Sequence, residues 1–153
     1  VLKIKVRTSG IVYLYNCSFY SGGYRRSVWD YGGIWRNLTF RNCIFYGTDW
    51  AFSDTGPSKE GTVSFDYDCL YGTRADRFVR WEGQTYDDLA GFQAGGYEKN
   101  GIQGDPMWAD PANLDFSLTT GSPCIDAGVV IPGITDVFSG GAPDIGAVEY
   151  GQD

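Results

Sequence analysis

Hydrophobic and polar positions alternate three times along the first half of the chain, in stretches that read almost as copies. "VYLYNCSFY" (12–20) returns as "LTFRNCIFY" (38–46), and "VSFDYDCLYG" (63–72) fits both with one residue deleted. In each, apolar residues stand two apart: Val12 and Leu14, Leu38 and Phe40, Val63 and Phe65. A period of two marks a strand with one buried face. The opening "VLKIKV" alternates in the same way and predicts another strand. After each pair comes Asn16, Asn42 or Asp68, residue types that tolerate left-handed backbone at a bend. A cysteine then leads into a second short apolar run.

Cys17, Cys43 and Cys69 are spaced 26 residues apart. A repeat of that length governs the fold and is weighed before single elements. Strand, bend, strand and a long return describe one turn of a parallel β-helix, an all-β solenoid whose turns stack at about 4.8 Å. Three turns of 25–26 residues are expected. Asn16, Asn42 and Asp68 would then form a ladder of bends, and Cys17, Cys43 and Cys69 an interior stack. Stacked Cα atoms near 4.8 Å fall within disulfide range. The rival reading is a set of free thiols packing as small hydrophobes. Cys124 lies outside the period and is expected to pack. The returns "YSGGYRRSVWDYGGIW" (20–35) and "GTDWAFSDTGPSKEG" (47–61) read as surface excursions.

After Thr73 the period stops. "RFVRW" (77–81) is a further strand candidate. "TYDDLAGFQAGG" (85–96) predicts a short helix. Thr85 with Asp88 gives a capping-box start, Leu89 and Phe92 share a face, and Gly95-Gly96 ends it. The chain divides into turns at 1–73 and last turns with a cap at 74–153, because terminal strands need their open edges covered. The start on Val1, directly in a strand pattern, suggests a chain whose upstream part is missing.

Charge and chemistry narrow the function. The net charge is −7, with no basic stripe, which argues against nucleic acid and anionic membranes as partners. No apolar run reaches the roughly 20 residues of a membrane helix. The absence of histidine removes Ser-His-Asp and Cys-His catalysis and His-containing zinc sites.

The tail "GDPMWADPANLDFSLTTGSPCIDAG" (104–128) with "GGAPDIGAVEY" (140–150) resembles the C-terminal end of bacterial right-handed parallel β-helix proteins of the pectate-lyase-like superfamily. Cys124 and Trp108 depart from that pattern, where Ala and Phe are usual. The resemblance implies a right-handed β-helix, an extracellular or cell-surface location, and polysaccharide or oligosaccharide as partner. It also implies that a catalytic centre, where one exists, lies mostly on upstream turns. Asp105, Asp110, Asp115, Asp126 and Asp144 read as turn caps; the alternative is a calcium site built from some of them. No other cofactor is expected.

Within the chain the returns hold the candidate ligand-binding residues Tyr24, Trp29, Asp30, Tyr31, Trp35 and Trp50. Rings can stack on sugar faces, and carboxylates accept from hydroxyls. The competing role for each ring is packing over the solenoid. Arg25 and Arg26 suit carboxylated sugars. Asp49 and Asp54 are the candidate acid–base pair for glycoside cleavage, which needs carboxyl groups about 5–10 Å apart. Arg74, Arg77 and Arg80 are poor bases, because guanidinium stays protonated. Three functional readings stand: a glycan-facing scaffold, a structural protein stacking through its open "VLKIKV" edge, and an enzyme with its whole site here.

Overall fold

The computed structural model describes residues 2–4, 10–30, 35–54, 59–74 and 76–152. Ten strands follow one another: β1 (Leu2–Ile4), β2 (Val12–Tyr15), β3 (Ser18–Tyr20), β4 (Arg26–Asp30), β5 (Trp35–Arg41), β6 (Ile44–Gly47), β7 (Trp50–Ser53), β8 (Lys59–Asp66), β9 (Cys69–Gly72) and β10 (Val79–Trp81). They sort into three parallel sheets, β1-β4-β7-β10, β2-β5-β8 and β3-β6-β9. Each passage of chain adds one strand to each sheet in turn, an arrangement compatible with a β-helix or solenoid. The returns are therefore more than excursions. They supply β4 and β7, whose Val28, Ala51 and Phe52 are fully buried.

Register decides what meets inside. Val12 pairs with Leu38 and Leu14 with Phe40. One round on, Leu38 pairs with Val63 and Phe40 with Phe65. The step has shortened to 25 residues, and it stays so through the next sheet, where Ile44 pairs with Cys69 and Phe45 with Leu70. Phe40 and Phe65 stack with ring centroids 5.0 Å apart, and Phe52 stacks on Phe65 at 4.9 Å. Each fully buried phenylalanine contributes about 1.5–3 kcal/mol.

That register corrects two sequence expectations. The third phrase pairs without skipping a residue, so Tyr67, not Asp68, takes the left-handed bend beneath Asn16 and Asn42. Their φ angles are 48°, 55° and 59° for Asn16, Asn42 and Tyr67. The cysteine stack likewise ends at Cys43. A slip of one residue turns a strand's side chain to the opposite face. Cys69 accordingly joins Ile44 in a second core, with Trp108, Leu118, Cys124 and Ile145.

This second core is the outer face of the β3-β6-β9 sheet, covered by the C-terminal tail. The polypeptide reaches it through β11 (Gln84–Tyr86), antiparallel to β10, and helix α1 (Leu89–Ala94). Asp88 alone caps α1, accepting 2.7 Å from the Gly91 amide. Thr85, expected in that cap, lies in β11. Phe92 from α1 closes one end of the main core, with Leu89 packed beside it. Strand β12 (Ile102–Gln103) extends the third sheet beside β9. The antiparallel pair β13 (Trp108–Asp110) and β14 (Asp115–Leu118) follows.

The bend ladder fastens the tail. The Asn42 side chain donates 2.8 Å to the Val129 carbonyl and accepts 2.8 Å from the Val129 amide. Its backbone carbonyl accepts 2.8 Å from Gly146 N. The tail's aspartates hold its own turns: Asp126 accepts from Gly141, Asp144 from Asp126 and Tyr150, and Asp105, Asp110 and Asp115 from amides two or three residues ahead.

Asp68, displaced from the ladder, is fully buried and accepts 2.7 Å from Cys43 N. Glu98, also fully buried, accepts 3.3 Å from Asp68 N. Burial pushes the Asp68 carboxyl up to about 7. Burial and the neighbouring Asp68 charge push Glu98 well above its ordinary value. The pair holds a proton where solvent-exposed carboxyls have lost theirs.

Two predictions follow from these contacts. Replacing Asn42 by Ala strands the Val129 amide and leaves the Val129 carbonyl only a 3.4 Å bond from Thr135 Oγ1, at a cost of about 1–3 kcal/mol; the urea midpoint should fall, with faster amide exchange at Val129. Because folding raises both carboxyl pKa values, their stabilisation is complete below about pH 4; the Asp68 share is lost as pH rises through about 7, and the Glu98 share falls in the same direction. Melting temperature should fall across that window, and Glu98→Gln should flatten the fall.

Candidate functional site

At the corner joining the third sheet to the first, the chain turns at residues 21–25 and 47–49 and, on the next round, after β9, where residues 73–74 and 76–77 are described. Gly47 and Gly72 pair in register there. A Cβ on Gly47 would run into the Trp50 carbonyl, and one on Gly72 would lie 2.9 Å from the Asp49 carbonyl oxygen. Only glycine allows this close approach. The turns are laced together by Thr48 Oγ1 donating 2.7 Å to the Tyr24 carbonyl and Thr73 Oγ1 donating 2.6 Å to the Thr48 carbonyl. Asp49 N and Trp50 N both donate to the Arg25 carbonyl.

The corner gathers charge around Asp49, which is largely buried. Its Oδ2 accepts from Arg25 Nε at 2.6 Å and from Arg77 at 3.3 Å, and Arg74 lies 3.8 Å from Oδ1. Arg74 also forks onto exposed Asp76, through Nε at 3.0 Å and a terminal nitrogen at 2.9 Å. The Arg25 hydrogen bond, with the three guanidinium charges, holds the Asp49 carboxyl below its ordinary value. Among the described residues of the corner, three guanidiniums thus face two carboxylates, a local cationic surplus on an acidic chain.

Rings flank that surplus. Tyr24 is 72% exposed at the tip of the first turn. Arg77 lies over Trp50, 5.9 Å from the ring centroid. Further along the first sheet, Arg26 sits 4.4 Å from the Trp29 ring and donates 3.5 Å to Ser53 Oγ. Such placement keeps guanidiniums aligned while their outer edges remain available to acceptors.

The structure brings some predicted site residues together and separates others. Tyr24 and Trp50 meet the Asp49 corner. Trp29 lies in β4 beneath Arg26. Asp30 ends β4 and Trp35 begins β5; Tyr31 lies outside the described residues. Asp49 and Asp54 flank β7 at its two ends. Five residues of extended chain span about 16 Å, beyond the carboxyl separations of glycosidases. Asp49 is moreover a salt-bridged anchor, and fully buried Asp54 follows β7 with its amide bonded to the Arg80 carbonyl. No group of three or more Asp, Glu or Cys among the described residues is placed to hold a metal.

A second surface went unnoticed in the sequence. The outer face of the β2-β5-β8 sheet carries a shallow groove of about 250 Å³ lined by Ile11, Tyr13, Asn37, Thr39 and Thr62. The alternation that marked Val12 and Leu14 as buried implies outward Tyr13, so the signal was present. No protein-family model matches this chain, and neither a curated protein nor a solved structure does.

Proposed function

We propose that the chain is a right-handed parallel β-helix segment of the pectate-lyase-like type that its tail resembles, presenting an extracellular glycan-binding surface. The observation that carries the reading is the Asp49 corner. Arginines held in place by a buried carboxylate stand beside Trp50 and exposed Tyr24. Planar guanidiniums fork onto carboxylates, and the rings offer faces for sugar C–H groups. The ligand class is therefore a carboxylated oligosaccharide, with binding and orientation as the chain's role. Arg25→Ala, Arg77→Ala and Trp50→Ala should each weaken binding of a galacturonate oligomer about tenfold, or 1.4 kcal/mol. Isothermal titration with variants of unchanged circular dichroism measures this. Unchanged affinity in all three would sink the proposal.

A second reading, assembly through the β2–β3 edge, is favoured by one contrast. Val12, Leu14, Cys17 and Phe19 are only partly buried, whereas Leu38, Phe40, Cys43 and Phe45 one round on are at most 1% exposed. Among the described residues no strand pairs with the outer side of β2 or β3, and a parallel edge above part-covered apolar groups suits another strand round, including one from a second copy. Light scattering should then show mass rising with concentration; a constant monomer mass contradicts it.

A further inference from the structure

The four cysteines, all free, divide into two neighbouring pairs with different surroundings. Cys17 precedes β3 and Cys43 precedes β6. The step between them is the same on both sides, with Tyr15 opposite Arg41 and Ser18 opposite Ile44. The Cys17 carbonyl accepts 2.8 Å from Ile44 N. The two residues therefore lie side by side on adjacent rounds, at the strand spacing of about 4.8 Å. That spacing falls within the Cα separation a disulfide spans. Their sulfurs converge on one stretch of backbone: Cys17 Sγ donates 3.2 Å to the Tyr15 carbonyl, and Cys43 Sγ donates 3.2 Å to the Leu14 carbonyl.

We infer that Cys17 and Cys43 form a reversible disulfide site, with half-buried Cys17 as the attacking thiol and buried Cys43 as the resolving one, which staples two successive rounds when a small organic disulfide is the oxidant.

Two features support this assignment. A hydrogen bond from Cys43 draws the Cys17 thiol down to about 7, while burial pushes Cys43 up. Cys17 thus carries substantial thiolate at neutral pH, and the thiolate is the nucleophile. Cys69 and Cys124 provide the contrast. They meet in the second core and are both fully buried, and Cys69 is pushed well up by its hydrogen bond to Cys124 and by burial. The same pairing of thiols there lacks access, and Cys69 is held protonated.

The chemistry closes without a further reagent. The Cys17 thiolate attacks one sulfur of the small disulfide, whose S–S bond breaks as one thiolate leaves. Cys43 then loses its proton and attacks Cys17 Sγ, forming the protein S–S bond and expelling the second thiolate. Two electrons pass to the small disulfide, and two protons end on the two released thiols.

The test is incubation of the full chain with oxidised glutathione, followed by intact mass and peptide mapping without reduction. The expected product has lost two hydrogens, carries a Cys17–Cys43 link, and keeps two thiols that react only after denaturation. Its melting temperature should rise by about 5–10 °C, reversed by dithiothreitol. Cys43→Ser should trap glutathione on Cys17. Cys17→Ser, at a partly buried position, should leave all remaining thiols unreacted, and it serves as the decisive variant should Cys43→Ser fail to fold. Four unreacted thiols in the native chain, a stable glutathione adduct on unaltered Cys17, or first closure of Cys69–Cys124 would each overturn the assignment.

Discussion

Each parallel strand here takes its backbone hydrogen bonds and its side-chain neighbours from the strand one round earlier, so one offset in residue number settles which groups touch. Across β2–β3 and β5–β6 the offset is 26; from Leu38 through β6 to β8–β9 it is 25, while β4–β7 and β7–β10 in the first sheet pair at 24 and 27. The shorter step keeps Phe65 on Phe40 and Leu70 on Phe45. It also moves Asp68 to the place of Cys43 and turns Cys69 outward. The buried Asp68–Glu98 pair, the second core and the separation of the thiols into two pairs all descend from that single step.

The same register builds the candidate site. The Gly47–Gly72 contact brings three turns close enough for Thr48 and Thr73 to lace them. Arg25, Asp49 and Arg74 then occupy nearly equivalent places on consecutive rounds. Two like charges with an opposite charge between them form a stack that neutralises its middle member and leaves cations at both ends. A repeating backbone thus converts residues about one period apart into a surface array. A ligand can meet this framework only at its corners and outer faces, because the interior is filled with rings.

Much of this was legible in the sequence, and the limits have physical causes. The alternation of Val12, Leu14, Leu38, Phe40, Val63 and Phe65 marked strands, because sheet side chains repeat every two residues. Asn16 and Asn42 marked bends, because asparagine tolerates positive φ. Tyr67 in the same conformation carries no such signal, and the cysteine spacing pulled the alignment one residue away from it. The sheet formed by β4 and β7 was hidden by the Gly, Arg and Asp around Val28, Ala51 and Phe52. Candidate residues Tyr24 and Trp50 came together at a corner with Asp49 because they lie about one period apart. Asp54 did not join them, because a strand intervenes. Contacts of the tail with Asn42 and Cys69 span 35 residues or more, and no periodicity encodes them.

The whole register depends on Cys69 facing the tail and not the interior. Nuclear Overhauser contacts of the Cys69 β protons report that directly. The structure predicts contacts with the side chains of Cys124 and Ile44. Contacts with Phe45 and Cys43 side chains inside the main core, without Cys124, would contradict the register and everything derived from it.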